Sequence, residues 1–276
     1  MLMIIVFLAV LGLMFGSFVN ALVWRLHKQS KSKKPTEKYS ITKGRSMCVD
    51  CGHTLGAKDL VPVFSWLYLK GKCRYCKKPI SWQYPAVELL TAVVFVASYI
   101  FWPADFNLVE YLILALWLAC TVGFMALIIY DIRWMLLPNK IVFPLYFVAL
   151  AVLVLRFIQN PELSIILGTL AGILVGGGIF YILFQVSKGK WIGGGDVKLG
   201  FLLGALAGTA QYSFLLLFMA SVLGVLFILP SLLTGKLKKS TRIPFGPFLI
   251  TGCIIVVLFG NRIITWYLDK VLAIST

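Results

Sequence analysis

Long apolar runs limit what this chain can become more than any other feature. Stretches long enough to span a bilayer occupy about 2–26, 84–102, 108–130, 140–157, 163–186, 197–209, 211–233 and 246–268. The sixth run is short, and with its neighbour it would make one long segment. Gly208-Thr209-Ala210-Gln211 interrupts them, which argues for two spans joined by a tight turn. The expectation is an all-α polytopic membrane protein with about eight transmembrane helices, or seven if those two merge. A composition 60% hydrophobic and 13% charged leaves a soluble domain of this size no way to hide its apolar surface.

The net charge of +16 raises nucleic acid as a partner, until the charges are located. Thirteen of the 26 Lys and Arg residues fall between Lys28 and Lys78, against three acids, Glu37, Asp50 and Asp59. That is a polar insertion beside a membrane, so the partner it implies is the lipid bilayer and not nucleic acid. The first run lacks a basic stretch before it, and its charges, Arg25 and Lys28, come after. It reads as a retained span with its N-terminus outside. Basic groups recur at Arg133 and Lys140, at Lys188, Lys190 and Lys198, and at Lys236, Lys238, Lys239 and Arg242. The alternate connections carry none, with Arg156 as the exception. On this alternation Asp131 ends the third span going inward and Asp196 begins the sixth going outward. Both acids then lie at one depth on the cytoplasmic face, with the insertion. The chain divides into a first transmembrane helix (1–26), a cytoplasmic insertion (27–83) and a membrane domain of seven helices (84–276).

The insertion holds Cys48-Val49-Asp50-Cys51 and Cys73-Arg74-Tyr75-Cys76, two CxxC pairs separated by 21 residues. Each pair suits one knuckle, and together they suit a tetrahedral four-cysteine zinc site in a small ribbon. Disulfides are the alternative, and a reducing cytoplasm disfavours them. His53 reads as a bystander, and Cys120 and Cys253, inside apolar spans, as packing residues. Glu88, just inside the second span after Pro85, is either an acid placed by the helix dipole or a buried polar contact to substrate or cofactor.

An ionisable residue where a membrane segment begins is expensive, and Trp191-Ile192-Gly193-Gly194-Gly195-Asp196-Val197-Lys198 has one. Asp131 alone reads as an interfacial acid paired with Arg133. With Asp196 at the same depth, the two are the parts of an aspartic protease, in which neighbouring carboxyls share a proton. A transporter whose acids carry protons is the rival reading. Gly193, Gly194 and Gly195 permit close approach and positive φ. Lys198 is a snorkelling side chain or tunes the acid pair. Gly176-Gly177-Gly178 suits close helix packing, and no GxxxxGK[ST] phosphate loop is present.

These residues together resemble the bacterial type IV prepilin peptidases, bifunctional leader peptidase and N-methyltransferase enzymes. The motifs are Gly16-Ser17-Phe18-Val19-Asn20 with Arg25-Leu26, Arg45-Ser46-x-Cys48-x-x-Cys51, and Asp59-Leu60-Val61-Pro62. Gly71-Lys72-Cys73-Arg74-Tyr75-Cys76, Tyr84-Pro85-x-x-Glu88-Leu89-Leu90, and Asp131 with Leu137-Pro138 follow. Gly193-x-Gly195-Asp196-x-Lys198 and Pro244-Phe245-Gly246-Pro247-Phe248 complete the series. The resemblance implies Asp131 and Asp196 as catalytic pair, with Gly193, Gly195 and Lys198 in the active-site loop. It implies prepilin or pseudopilin substrates, cleaved at the cytoplasmic face of the inner membrane and then methylated with S-adenosylmethionine. Gly71, Lys72 and Glu88 are candidates for holding that cofactor by their place in matching motifs. A peptidase alone, with a structural zinc insertion, is the alternative. Position 139 is Asn where the family often carries an acid, and Thr42-Lys43-Gly44 replaces the family's proline-rich approach to the first cysteine.

Overall fold

A computed structural model describes residues 1–32, 39–41, 43–235 and 243–272. Thr42, Glu37 and the basic group Lys236, Lys238, Lys239 and Arg242 lie outside the described residues. The chain forms two compact units, one of Met1–Ile100 with Thr121–Ala126, the other of Phe101–Cys120 with Leu127–Thr276.

In the first unit, α1 (Leu2–Lys31) and α3 (Gln83–Ile100) pack backbone to backbone. A Cβ on Gly12 would stand 2.5 Å from Ala92 Cα, and one on Gly16 would stand 2.5 Å from Glu88 Cα. Small residues let two apolar helices approach this closely, which a larger side chain would prevent. Asn20, one turn on, is buried between them. Its amide donates to the Tyr84 carbonyl at 3.2 Å, and its Oδ1 accepts from Gln83 Nε2 at 3.1 Å. The Gly16 to Asn20 motif is thus a helix-pairing device. Between α1 and α3 lies the insertion, with a 3-10 turn at Ala57–Asp59, one short α-helix, α2 (Phe64–Tyr68), and two isolated β-bridges as its only strand-like pairing among the described residues.

The second unit is a helix bundle. It contains α4 (Leu108–Trp134) apart from Thr121–Ala126, α5 (Asn139–Gln159), α6 (Leu163–Ile173) and α7 (Ile179–Ser187). It continues with α8 (Gly194–Ala207), α9 (Ala210–Leu233) and α10 (Gly246–Tyr267). A π-helical turn at Leu174–Gly178 joins α6 to α7. Among the described residues, seven helical stretches are long and apolar enough to cross a membrane. The remaining run, the short sixth one, is α8, separate from α9 as the sequence break predicts. Gly208 closes α8 at φ +79, and the Thr209 hydroxyl opens α9 by accepting from Tyr212 N–H.

With 14 residues α8 is about 21 Å long, short of a hydrocarbon core. Its position explains why that suffices. It packs against α5, α6, α7, α9 and α10, and Leu199, Leu202, Leu203 and Leu206 are buried. A helix apolar on all sides belongs inside a bundle, and one shielded by neighbours need not match the lipid. The glycines of α6 and the π-turn give it this place. A Cβ on Gly172 would stand 2.7 Å from the Gly204 carbonyl oxygen, one on Gly176 2.9 Å from that of Gly200, and one on Gly204 2.4 Å from that of Gly172. The reading of Gly176 as a packing glycine holds, and Gly177 faces the Phe201 ring in the same way, whereas Gly178 faces open space.

Candidate active site

Asp131 sits in the last turn of α4, which Met135 ends at φ 52. It is buried, and its Oδ2 accepts a hydrogen bond of 2.9 Å from the backbone N–H of Gly246, the first residue of α10. A helix N-terminus aims unpaired N–H groups and a positive dipole end at whatever lies before it, here a carboxyl. Only glycine fits at this position, since a Cβ on Gly246 would lie 2.6 Å from Asp131 Oδ2.

Asp196 is the third residue of α8, half-buried in the first turn. Its carboxyl folds back over the start of the helix, so that a Cβ on Gly193 would stand 3.3 Å from Oδ2. The two acids act on one another electrostatically. Leu137 fills the space beside both. A Cβ on Gly195 would meet Leu137 Cβ at 3.2 Å, and one on Gly246 would meet Leu137 Cδ2 at 3.6 Å. The Leu137-Pro138 motif is therefore the wedge between the loop of Asp196 and the helix end that holds Asp131.

The glycine loop is used differently from expectation in one respect. Gly193 has φ −75, and none of Gly193, Gly194 and Gly195 takes a positive φ. The left-handed turn falls earlier, at Lys188 and Gly189, which end α7. Close approach is what Gly195 supplies. Lys198 donates from Nζ to Asn139 Oδ1 at 3.1 Å, and its carbonyl accepts from the Tyr146 hydroxyl at 2.7 Å. It thus ties α8 to the start of α5, and the residue that departs from the family pattern is its partner. Two groups escaped notice as site residues in the sequence, Gly246 and Asn139. Both lie in recognised motifs, but their pairings span 115 and 59 residues.

The four predicted metal cysteines come together. The Sγ atoms of Cys48, Cys51, Cys73 and Cys76 all lie within 4.8 Å of one another, and Cys48 and Cys76 are 3.9 Å apart. Tetrahedral zinc with ~2.3 Å bonds requires sulfurs about 3.8 Å apart, and a disulfide requires about 2.05 Å. The donor set fits a metal ion, and all four cysteines are free thiols. The two knuckles are copies of each other. Cys48 N–H donates to the His53 carbonyl, and the Cys48 carbonyl accepts from Gly52 N–H; Cys73 does the same with Lys78 and Lys77. The residue after each second cysteine is left-handed, Gly52 at φ 70 and Lys77 at φ 60.

Burial pushes the Cys48 thiol up to about 11. Burial opposes ionisation of Cys73 too, but the backbone N–H groups of Cys76 and Tyr75 and the neighbouring thiols outweigh it, bringing that thiol to about 7. A bound cation favours thiolates throughout such a cluster. His53 stacks on Tyr75 at 3.7 Å and lies outside the sulfur cluster. Lys78 reaches Asp50 across the knuckles at 3.3 Å, and Arg74 pairs with Asp59 at 2.6 Å.

The candidate cofactor residues are placed as follows. Gly71 has φ +68, and a Cβ there would stand 2.9 Å from the Trp66 ring. Lys72 is exposed on the knuckle strand paired with Pro79. Glu88 is buried, and its Oε2 accepts from Val63 N–H at 2.7 Å. Its partners here are protein groups, the Val63 backbone of the insertion and the Ser17 side chain of α1. Among the described residues no hydrogen bond or ion pair joins Lys72 to Glu88. No chemical step is assigned to these three residues.

The fold and these groups define a multi-pass helical membrane protein with two interacting acids at its helix ends and a four-cysteine centre. Residues 10–102 match the bacterial peptidase A24 N-terminal domain, and residues 112–229 match the type IV leader peptidase family. The chain is 33% identical over 273 residues to the prepilin leader peptidase/N-methyltransferase of Bacillus subtilis, covering 96% of this chain and 98% of that one. It is 32% identical over 277 residues to that of Aeromonas salmonicida (95% and 92%), and 31% over 273 residues to that of Pseudomonas aeruginosa (94% and 91%). No solved structure matches. The chain belongs to the type IV leader peptidase family.

Proposed function

We propose that this protein cleaves the leader from type IV prepilins or pseudopilins with Asp131 and Asp196, and methylates the new N-terminal amine using S-adenosylmethionine. Membership of a family whose members carry both activities in their names supports the pairing of functions. The single observation that supports the chemistry is that Asp131 and Asp196, at the ends of α4 and α8, act on one another electrostatically, with the α10 N-terminus donating to Asp131.

In the proposed reaction one carboxyl holds a proton and hydrogen-bonds the scissile carbonyl. The other takes a proton from a water, which attacks that carbon. The tetrahedral intermediate collapses as the leaving amine takes the proton that the second carboxyl removed from the water, and no covalent enzyme intermediate forms. Gly246 N–H fixes one oxygen of Asp131 and leaves Oδ1 for the reaction. Both acids and the insertion belong to the cytoplasmic side of the inner membrane, on the charge pattern of the connections. The ion in the four-cysteine centre is zinc, which supplies folding energy to an insertion with little apolar core.

The test is co-expression with a prepilin, with mass spectrometry of the pilin N-terminus. Wild type is expected to give a shortened chain heavier by one methyl group. Shortened chains with a free amine would remove the methylation claim and leave the peptidase, and uncleaved chains would remove both.

A further inference from the structure

Arg156 breaks the charge pattern of the connections, and the acid pair and cysteine centre make no use of it. It lies in the last turn of α5 and lines a cleft of about 580 Å³, walled by the ends of α4, α5, α6, α8 and α9. Gly208 makes room for it: a Cβ there would stand 2.8 Å from the guanidinium. Glu110 and Tyr212 act on the guanidinium electrostatically. Yet among the described residues no carboxylate lies within 4.0 Å of it, and no protein acceptor takes a hydrogen bond from it. Glu110 is buried, and its carboxylate is engaged by Trp102 Nε1 at 3.0 Å. Gln159 and Asn160, whose side chains carry amide donors, line the same cleft.

A guanidinium carries five donors and no acceptor, in a planar fork that fits phosphate by two parallel hydrogen bonds. Holding that charge among helix ends without a counter-charge in contact is costly, so a bound anion stabilises the arrangement. Glu110 nearby favours a singly charged anion over a doubly charged one. The place of the cleft narrows the source. α8 carries Asp196 at its first turn and Gly208 at its other end, so the cleft lies at the opposite end of that helix from the acid pair. Its walls are the ends of membrane helices, the level of lipid headgroups.

We propose that this cleft binds a phosphate group, clamped by Arg156 with amide and Tyr212 donors beside it, either as the phosphodiester of a lipid or as free phosphate. The full-length protein in detergent tests this by thermal unfolding and by native mass spectrometry. The probes are phosphatidylglycerol, a phosphate-free glycolipid and inorganic phosphate against chloride at equal ionic strength. Phosphatidylglycerol is expected to stay bound and raise Tm, with at least about tenfold weaker apparent binding in Arg156→Gln and an intermediate loss in Arg156→Lys. A shift with phosphatidylglycerol alone identifies the lipid as the source, and a shift with inorganic phosphate as well identifies a free-anion site. Tyr212→Phe keeps the packing and removes only a hydroxyl, and should weaken binding if Arg156→Gln does not fold. Equal shifts from the glycolipid, or variants that bind phosphatidylglycerol like wild type, would overturn the proposal.

Discussion

Replacing Gly246 by alanine perturbs the acid pair with one methyl group. The new Cβ would stand 2.6 Å from Asp131 Oδ2, where carbon and oxygen normally keep about 3.3 Å. The carboxyl must retreat by roughly 0.7 Å, stretching the 2.9 Å hydrogen bond to about 3.6 Å, which is no longer a hydrogen bond. Hydrogen bonds to charged groups contribute about 1.5–3 kcal/mol. If that loss falls on the transition state, kcat/KM drops about 10- to 150-fold. The assay is cleavage of a purified prepilin in detergent, with Tm and bound metal measured alongside. Gly178→Ala is the control, because nothing lies within 4 Å of its Cβ position. That variant should cleave normally. Cleavage by Gly246→Ala within twofold of wild type would refute the role given to the α10 N-terminus.

Cys48→Ser should lower bound zinc to near zero and expose the insertion to proteolysis, with the membrane helices intact by circular dichroism. Wild type gently purified with no metal would contradict the assignment. Gly204→Val should lower Tm by several degrees, because its Cβ meets the Gly172 backbone oxygen at 2.4 Å and neither helix can yield cheaply. Asn139→Asp should strengthen the link to Lys198 and be tolerated, whereas Lys198→Met should lower Tm, as thermal scans would report. Arg74 holds the Asp59 carboxyl below its ordinary range. A depressed acid adds stability above its unfolded pKa and loses it as pH falls. Arg74→Leu should thus weaken the insertion at neutral pH, and the difference from wild type should begin to shrink near about pH 4 and vanish only below the depressed folded value, followed by tryptophan fluorescence.

The apolar runs revealed the membrane helices because spanning needs unbroken hydrophobicity, which is a local property. The break at Gly208 was legible for the same reason, since a left-handed glycine and a threonine cap are adjacent in sequence. The knuckles were legible because each closes its hydrogen bonds within ten residues, from Ser46 to Leu55 and from Gly71 to Ile80. What escaped was tertiary. Nothing near Asp131 announces Gly246, and nothing near Lys198 announces Asn139. The first helix runs to Lys31, beyond the apolar run, because polar residues past Trp24 still satisfy their backbone within the helix. The glycines before Asp196 suggested left-handed backbone, but the helix start needs only room beside Leu137.

The central claim is that Asp131 and Asp196 act together on one peptide bond. Single-turnover cleavage of a prepilin by purified Asp131→Asn and Asp196→Asn tests it directly, since each substitution keeps shape and hydrogen bonding while removing the titrating carboxyl. Both variants are expected to bind substrate, retain their metal and wild-type Tm, and leave the leader uncut. Cleavage at the wild-type rate by either one would contradict the account.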